Sequence, residues 1–128
     1  MILKRVILAS SMLLGVVIFN LFCVNIIINI KTEFGEKLDL IEASVTEENS
    51  QKTAQECEKF TQFWLEKEEV LCRIVRYEPL EEITVAAARL IPLAEFEEYG
   101  ELSAEILRCR ILMDEIYESE RPSLRNIF

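Results

Sequence analysis

The chain has 128 residues, which is room for one domain, and its 14 basic and 23 acidic residues give a net charge of −9. Such a charge repels phosphate backbones and anionic headgroups, which argues against a nucleic-acid binder or a reader of membrane surfaces. Only three Gly and three Pro occur, and there is no His. Helices avoid Gly, and His is the commonest general base and metal ligand. The composition therefore favours helix and disfavours catalysis and metal binding.

An uncharged apolar segment runs from Val6 to Ile30, over 25 positions. A helix needs about 20 apolar residues to cross a hydrocarbon core of about 30 Å, so this segment is long enough to span a membrane. It has neither the charged face of an interfacial helix nor the A-x-A-like site of a cleaved signal peptide. We predict a signal anchor at residues 1–30 and an acidic helical domain at residues 31–128.

The charges around this segment predict its orientation. Lys4 and Arg5 precede it, whereas basic and acidic residues are balanced just after it. The positive-inside rule then predicts a single-pass protein of the cell membrane, with a cytoplasmic N-terminus and an extracytoplasmic C-terminal domain. Beyond residue 30 the chain has 12 basic and 23 acidic residues, a net charge of −11.

Asn20, Asn25 and Asn29 are the only strongly polar side chains of the predicted span. Water at the outer interface would satisfy Asn25 and Asn29. Alternatively, because they are four residues apart and share a helix face, they would hydrogen-bond to a second membrane helix. Both are candidate interaction residues.

Helical spacing of apolar residues continues through the rest of the chain. It predicts a short first helix continuous with the anchor, then helices over about 50–77, about 80–99, and from Leu102 to a stop at Pro122. Short connections make sequential helices antiparallel neighbours. The predicted fold is all-α, with an N-terminal transmembrane helix followed by a small antiparallel up-and-down helical bundle.

Four residues mark predicted helix ends, and a fifth marks a predicted kink or break. Asn49 or Ser50 is expected to cap the second helix, and Pro79 to end it and stand in the first turn of the third. Pro92 lies inside the third helix and is expected to kink or break it. Gly100 is expected to cap its C-terminus.

Specific sequence stretches carry a resemblance to a known family. They are Trp64-x6-Leu71 leading into Glu81-Glu82-Ile83, then Ala87-Ala88-Arg89-Leu90, and an ending that runs from Ile116-Tyr117-Glu118 to Asn126-Ile127-Phe128. With them the chain resembles the small clostridial-type membrane proteins catalogued as domain of unknown function 4363. An Asp-His pair commonly stands in that family where this chain has Arg76-Tyr77. The resemblance implies a topology and no activity.

Two cysteines could form a disulfide. Cys57 and Cys109 each lie seven or eight residues after the predicted start of their helix, and the second and fourth helices should run parallel. The two cysteines then lie at similar positions along the bundle axis, which allows a disulfide bridge in an oxidising compartment. The alternative is two buried thiols that act as small apolar residues.

Trp64 is the only Trp, and it lies on an apolar stripe beside Phe60 and Phe63. It is expected either in the core or, exposed, as an anchor for a partner. The acidic runs lack the ligand spacing of a calcium or zinc site, and no nucleophile has a base and an orienting partner nearby. We therefore predict no catalytic, cofactor-binding or metal-binding residue.

These observations favour a non-enzymatic protein-protein interaction module at the outer face of the cytoplasmic membrane. Its partner would be a protein outside the membrane, or a larger membrane protein bound through the Asn-bearing span. The alternative is a ligand-sensing or envelope-stress domain, in which the kink at Pro92 opens a cavity between the third and fourth helices.

Overall fold

The computed structural model describes residues 1–75 and 77–127, without the side chains of Tyr77 and of residues 120–127. The pair Arg76-Tyr77, singled out by the family resemblance, therefore lies outside the described side chains. Four helices make up the described secondary structure: α1 Ile2–Thr46, α2 Ser50–Leu71, α3 Tyr77–Glu95 and α4 Tyr99–Ile127. The prediction of an all-α chain, with a long apolar N-terminal helix and helices that pack on one another, is confirmed.

The helices form a square antiparallel arrangement. α1 packs against α2 and α4, and α3 packs against the same two helices. Across the diagonals the described residues of α2 and α4 bring no two Cα atoms within 8 Å, and the same holds for α1 and α3. Each helix therefore buries two adjacent faces and leaves the others outside.

Helix α1 changes its surroundings along its length without a break. Its residues are exposed as far as Phe22, apart from half-buried Val17 and Asn20. From Cys23 onward a residue is buried every three or four positions, at Cys23, Ile27, Ile30, Phe34, Leu38 and Ile41. The predicted continuity between anchor and first helix is confirmed. The bundle core begins inside the apolar segment, and the division at residue 30 stays a prediction.

An aromatic cluster joins three helices at the centre of the bundle. Phe34 of α1 meets Phe60 and Trp64 of α2 edge-on, with ring centroids 5.0 and 5.6 Å apart. Trp64 Nε1 donates a hydrogen bond of 2.8 Å to Thr84 Oγ1 of α3. The indole is fully buried and its polar edge is satisfied, which is the usual condition for a Trp in a core.

Helix α2 ends at Leu71, so the prediction that it continues to Tyr77 is wrong. The backbone N–H groups of Ile74 and Val75 both donate to the carbonyl of Leu71, at 2.9 Å, and form a turn. Ile74 and Val75 continue the apolar stripe because they close the end of the core from that turn. Since α3 begins at Tyr77, Pro79 stands in its first turn, as predicted, but it does not end α2, which already stops at Leu71.

The α1–α2 and α3–α4 turns lie together at the other end of the bundle. In each, one Glu adopts the left-handed region, Glu48 with φ 58° and Glu97 with φ 55°. Asn49 is the predicted N-cap, and its side chain accepts a hydrogen bond of 3.1 Å from the Lys52 N–H. The predicted cap at Gly100 is wrong, because α3 ends at Glu95 and Gly100 lies in the first turn of α4.

Two prolines lie beyond the first turn of a helix. Pro92 stands in the last turn of α3 and does not break it, and its carbonyl accepts a hydrogen bond from Phe96 N–H at 3.0 Å. The prediction that Pro122 stops the last helix is wrong, because α4 continues to Ile127. A proline removes one backbone hydrogen bond and leaves the later ones intact, so a helix can continue beyond it.

Candidate functional site

The first candidate surface is the exposed apolar part of α1, residues 2–22. Its large side chains project from the helix on all sides, with Val6 56% and Phe22 60% exposed. The mean hydropathy of its most apolar 18-residue window is 2.4, and within the described residues α1 is the one helix long and apolar enough to cross a membrane. Exposed apolar surface of this extent needs a cover, either lipid or another protein.

Asn25 and Asn29 lie on the face of α1 that points away from the bundle. Both are exposed, whereas Ile27 between them is buried in the core. Neither amide side chain makes a hydrogen bond with the described residues. The structure therefore brings the two predicted interaction residues together on one open face, four residues apart on a continuous helix.

The structure places Trp64 in the core and not at a surface. Its exposed fraction is 0%, and its single donor is already used by Thr84. A buried side chain of this kind cannot anchor a partner without unfolding of the bundle. The side chain of Trp64 is therefore not accessible to a partner in this structure.

Cys57 and Cys109 are both free and fully buried. They belong to α2 and α4, whose Cα atoms all stay more than 8 Å apart among the described residues, whereas a disulfide needs Cα atoms about 4.4–6.8 Å apart. The structure thus does not bring the pair together, and a bridge would require the two diagonal helices to approach each other. The disulfide stays a prediction.

Burial raises the pKa of both thiols. Cys57 rises to about 12 because of desolvation, with a smaller contribution from Glu56 and Glu58. Cys109 also rises to about 12, again mainly through desolvation. Since the thiolate is the nucleophile and metal ligand, thiols of this kind are unreactive near neutral pH. The exposed cysteine is Cys72, in the turn between α2 and α3.

A carboxylate that the sequence analysis missed lies between α3 and α4. Glu105 is only 9% exposed, and its Oε1 accepts a hydrogen bond of 2.7 Å from Arg89 Nη1. Its Oε2 is buried without a hydrogen bond, with Arg108 Nη1 3.9 Å away. Glu105 precedes Ile106 on the apolar seam, which is the signal that could have identified it. The pairing fixes α3 against α4.

A second ion-pair group ties α4 to α1. Arg110 Nη2 donates to Asp39 Oδ1 at 2.7 Å and to Glu42 Oε1 at 2.9 Å. Burial lowers the pKa of the Arg110 guanidinium, but the hydrogen bonds to both carboxylates outweigh that effect and raise it above its ordinary value. Arg110 therefore stays charged and holds the two helices in register.

The grooves on the body are open to solvent. The one between α3 and α4 has a volume of about 290 Å³ and is lined by Glu78, Glu81, Glu82, Val85 and Arg108. It lies toward the start of α3, away from Pro92, where a ligand cavity was expected. Within the described part of the chain, no three His, Cys, Asp or Glu side chains are grouped so as to hold a metal ion.

Comparison with known proteins identifies a family and no activity. The model of the family described as "Domain of unknown function (DUF4363)" matches residues 21–127. The match begins two residues before Cys23, where the buried positions of α1 begin. No curated protein and no solved structure matches the chain. The chain belongs to the family of domain of unknown function 4363.

Proposed function

We propose that this member of the family is a membrane-anchored, non-enzymatic protein-protein interaction module at the outer face of the cytoplasmic membrane. The observation that carries the proposal is the change along α1. Residues 2–22 are exposed and apolar, and the same helix becomes a core element of the bundle from Cys23. A helix in lipid that continues directly into a folded body is the arrangement of a tethered module.

The charges support this topology. Lys4 and Arg5 are exposed at the start of α1, and the body that follows carries the negative charge. The positive-inside rule favours a cytoplasmic N-terminus for such a chain, and the body then lies outside. Labelling Cys72 in intact cells with an impermeant thiol reagent tests the orientation, because labelling only after lysis would reverse it.

The described side chains support binding over catalysis. The two thiols on the core stripe have pKa values near 12, and the buried carboxylate of Glu105 is already paired with Arg89. The buried thiols and the ion pair of Glu105 with Arg89 hold the bundle together, and none of these groups lies at the surface of a cleft.

The face of Asn25 and Asn29 is the proposed contact with a larger membrane protein. Both amides are exposed without an internal partner, and a helix that starts at Val6 needs about 20 residues to cross the hydrocarbon. Asn25 then lies at the hydrocarbon boundary and Asn29 one turn beyond it. Interhelical hydrogen bonds from such amides contribute about 0.6–2 kcal/mol each in membranes.

Site-specific photo-crosslinking in the native membrane tests this assignment. A crosslinking residue at position 25 or 29 should give one discrete adduct with one membrane protein, identified by mass spectrometry. The same residue at position 12 is the control, because Met12 is exposed on the fully apolar part of the helix. Adducts at position 12 but not at 25 or 29 would contradict the assignment.

The double variant Asn25→Leu, Asn29→Leu keeps the helix apolar and removes the amides. We expect it to reach the membrane normally and to lose most of the adduct formed by a crosslinker at the neighbouring position 28. Unchanged adduct formation in this variant would show that the amides do not hold the partner.

A further inference from the structure

Helix α4 is apolar on two opposite sides. The stripe that faces the core is buried and consists of Leu102, Ile106, Cys109, Met113 and Ile116. The stripe that faces away from the core, called here the outward stripe, is exposed and consists of Gly100, Ala104, Leu107 and Ile111. Leu107 is 57% and Ile111 50% exposed, and a Cβ added at Gly100 would point into open space. The outward positions follow one another at steps of four, three and four, the spacing of a seam between two packed helices.

Among the described side chains, no other helix beyond residue 30 presents such a stripe. The remaining exposed large apolar residues in that part of the chain are Leu40, Leu65, Val70, Val85 and Phe96. Each stands without another exposed large apolar residue three or four positions away. Single apolar residues are ordinary on a protein surface, whereas a stripe at helical spacing is the usual form of a helix-binding face. The outward stripe is therefore the candidate contact surface of the bundle.

Charged residues flank the outward stripe on both sides. Arg110 lies on the flank toward α1, where its Nη2 atom donates to two carboxylates. Arg108 lies on the flank toward α3, since it lines the groove between α3 and α4. Glu101 and Glu115 lie on the same flank as Arg108, because each is seven residues, or two helical turns, away from it. One flank is thus basic and the other alternates in charge.

The order of these charges allows the stripe to pair with a copy of itself in two orientations. In a parallel, in-register pair, each flanking residue lies opposite the one five positions further on in the other helix. Arg110 then meets Glu115 of the second copy, twice by symmetry. Its guanidinium has donors other than those of Nη2 for this further carboxylate. In an antiparallel pair with fully overlapping stripes, Glu101 meets Arg108 of the second copy instead.

We propose that the outward stripe of α4 binds the same stripe of a second copy of this chain, with the two α4 helices parallel and in register. The inference rests on the proposed membrane anchoring, under which both copies enter the membrane in the same direction. Because α1 runs without a break from the apolar segment into the bundle, the two bundles and their α4 helices then point the same way. This orientation selects the pairing of Arg110 with Glu115 over that of Glu101 with Arg108.

The stripe is short, which fits an association that takes place in a membrane. It ends at Ile111, since the next position, Asp114, is charged and paired with Lys31 of its own chain. A stable dimer in solution buries about 800 Å² per partner, more than four residues with two large side chains supply. Two copies held in one membrane have a high effective concentration, so a smaller contact is sufficient. Asn25 and Asn29 lie on α1, so both proposed contacts can form at once.

Cysteine crosslinking of the full chain in its native membrane tests the contact. Cys72→Ser removes the exposed thiol, and the other native cysteines are buried. In this background, Leu107→Cys should give a disulfide-linked dimer on mild oxidation, because the two copies of this seam position face each other. Leu65→Cys is the matched control, since Leu65 is 49% exposed and lies on α2. We expect several-fold more dimer at position 107 than at position 65.

The outcomes separate this inference from the proposed anchoring. Equal dimer yields at positions 107 and 65 would come from random collisions and would overturn the inference. Protein that sediments with the membrane but forms no dimer at position 107 overturns the inference alone. Protein that does not sediment with the membrane overturns the anchoring, and the inference with it.

Charge reversal tests the parallel orientation. Glu115→Lys sets a like charge against Arg110 of the other copy and should lower the dimer yield at position 107 by about two- to five-fold, the effect of an exposed charge pair. Glu101→Lys should leave the yield unchanged, because Glu101 meets a basic residue only in the antiparallel pair. Glu101 and Glu115 are both exposed and have no ion-pair partner among the described side chains, so both variants should fold. An effect of Glu101→Lys as large as that of Glu115→Lys, or no effect of Glu115→Lys, would overturn the parallel pairing.

Discussion

The turns α1–α2 and α3–α4 reverse the chain with the same backbone and with different side chains. Asn49 N–H donates to Ser44 O at 3.2 Å, and 49 residues later Glu98 N–H donates to Leu93 O at 2.9 Å. Glu48 and Glu97 occupy equivalent left-handed positions. Both turns are Schellman motifs, in which the N–H two residues beyond the cap satisfies a carbonyl of the last helical turn.

The cores under the two turns differ. In the first, Ser44 Oγ and Thr53 Oγ1 are buried and 2.8 Å apart. In the second, the equivalent residues are Leu93 and Leu102, both buried and apolar. The backbone geometry therefore does not depend on the polarity beneath it or on a Gly at the left-handed position. The relative register of the two helices determines the backbone conformation of the turn. The space beneath it is filled by a hydrogen-bonded polar pair in the first turn and by two leucines in the second.

Truncation of Leu102, in the apolar core under the second turn, should have the largest effect on the free energy of unfolding. Leu102→Ala leaves a cavity in the core and is expected to lower the free energy of unfolding by about 2–5 kcal/mol. Thr53→Ala, at the equivalent position of the first turn, should cost only about 1–2 kcal/mol, since it mainly removes hydrogen bonds. Denaturant unfolding of the full chain in mild detergent, followed by circular dichroism, measures both. Equal costs would show that the two cores are equally dependent on packing.

Alkaline pH should destabilise both hairpins, since each buries one thiol. The pKa values of Cys57 and Cys109 are raised from 9.0 to about 12 by burial. Above pH 9 the unfolded chain loses these protons before the folded chain does, so stability falls as pH rises from 9 toward 12 and is unaffected by these groups below 9. Melting temperatures across this range measure the fall. Cys57→Ala and Cys109→Ala should each make it shallower, and an unchanged slope in both would contradict the cause.

The hydroxyls of Ser44 and Thr53 under the first turn should be energetically coupled, so that removing one costs more stability than removing both. Thr53→Val alone leaves Ser44 Oγ in an apolar core with only the Ile41 carbonyl as partner, and is expected to cost about 1–2 kcal/mol. The double variant Ser44→Ala, Thr53→Val removes both hydroxyls and should recover most of that cost. A double-mutant cycle measures the coupling, and additive costs would mean that the hydroxyls act independently.

The smallest effect should come from the left-handed residues. Glu48→Gly and Glu97→Gly each relieve a conformation that is unfavourable for residues with a Cβ, and each should stabilise by up to about 1 kcal/mol. Glu47→Gly is the matched control, because Glu47 has a right-handed backbone with φ −74° and should lose stability. Thermal unfolding of the three variants measures the difference. A gain at only one of Glu48 and Glu97 would show that the two turns are not equivalent.

The apolar spacing was sufficient to predict the helices but not all of their ends. The stripe through Ile74 and Val75 extends past Leu71 because both residues close the core from a turn, and sequence spacing does not distinguish that from another helical turn. Gly100 is the usual residue for a C-cap, yet Glu97 takes that role. The turn lies where α3 and α4 can both bury Leu93 and Leu102 in the core. This alignment of the two helices depends on tertiary packing, which local sequence does not show.

The candidate residues were predictable to different degrees. The common face of Asn25 and Asn29 follows from a spacing of four on any helix, and the structure keeps it open. The proximity of Cys57 and Cys109 was inferred from height alone, which ignores that α2 and α4 are diagonal in a square bundle.

The unbroken course of α1 has a mechanical consequence. From Cys23 to Thr46 the helix extends about 36 Å, at the usual rise per residue, with no hinge between its exposed apolar part and the far end of the bundle. A change of 10° in the tilt of the span, such as a change in bilayer thickness produces, would shift the far end sideways by about 6 Å. In the membrane-anchored arrangement proposed above, Phe96 and the carboxylates around it would move by that distance, so a change in membrane thickness would become a sideways displacement of the far end.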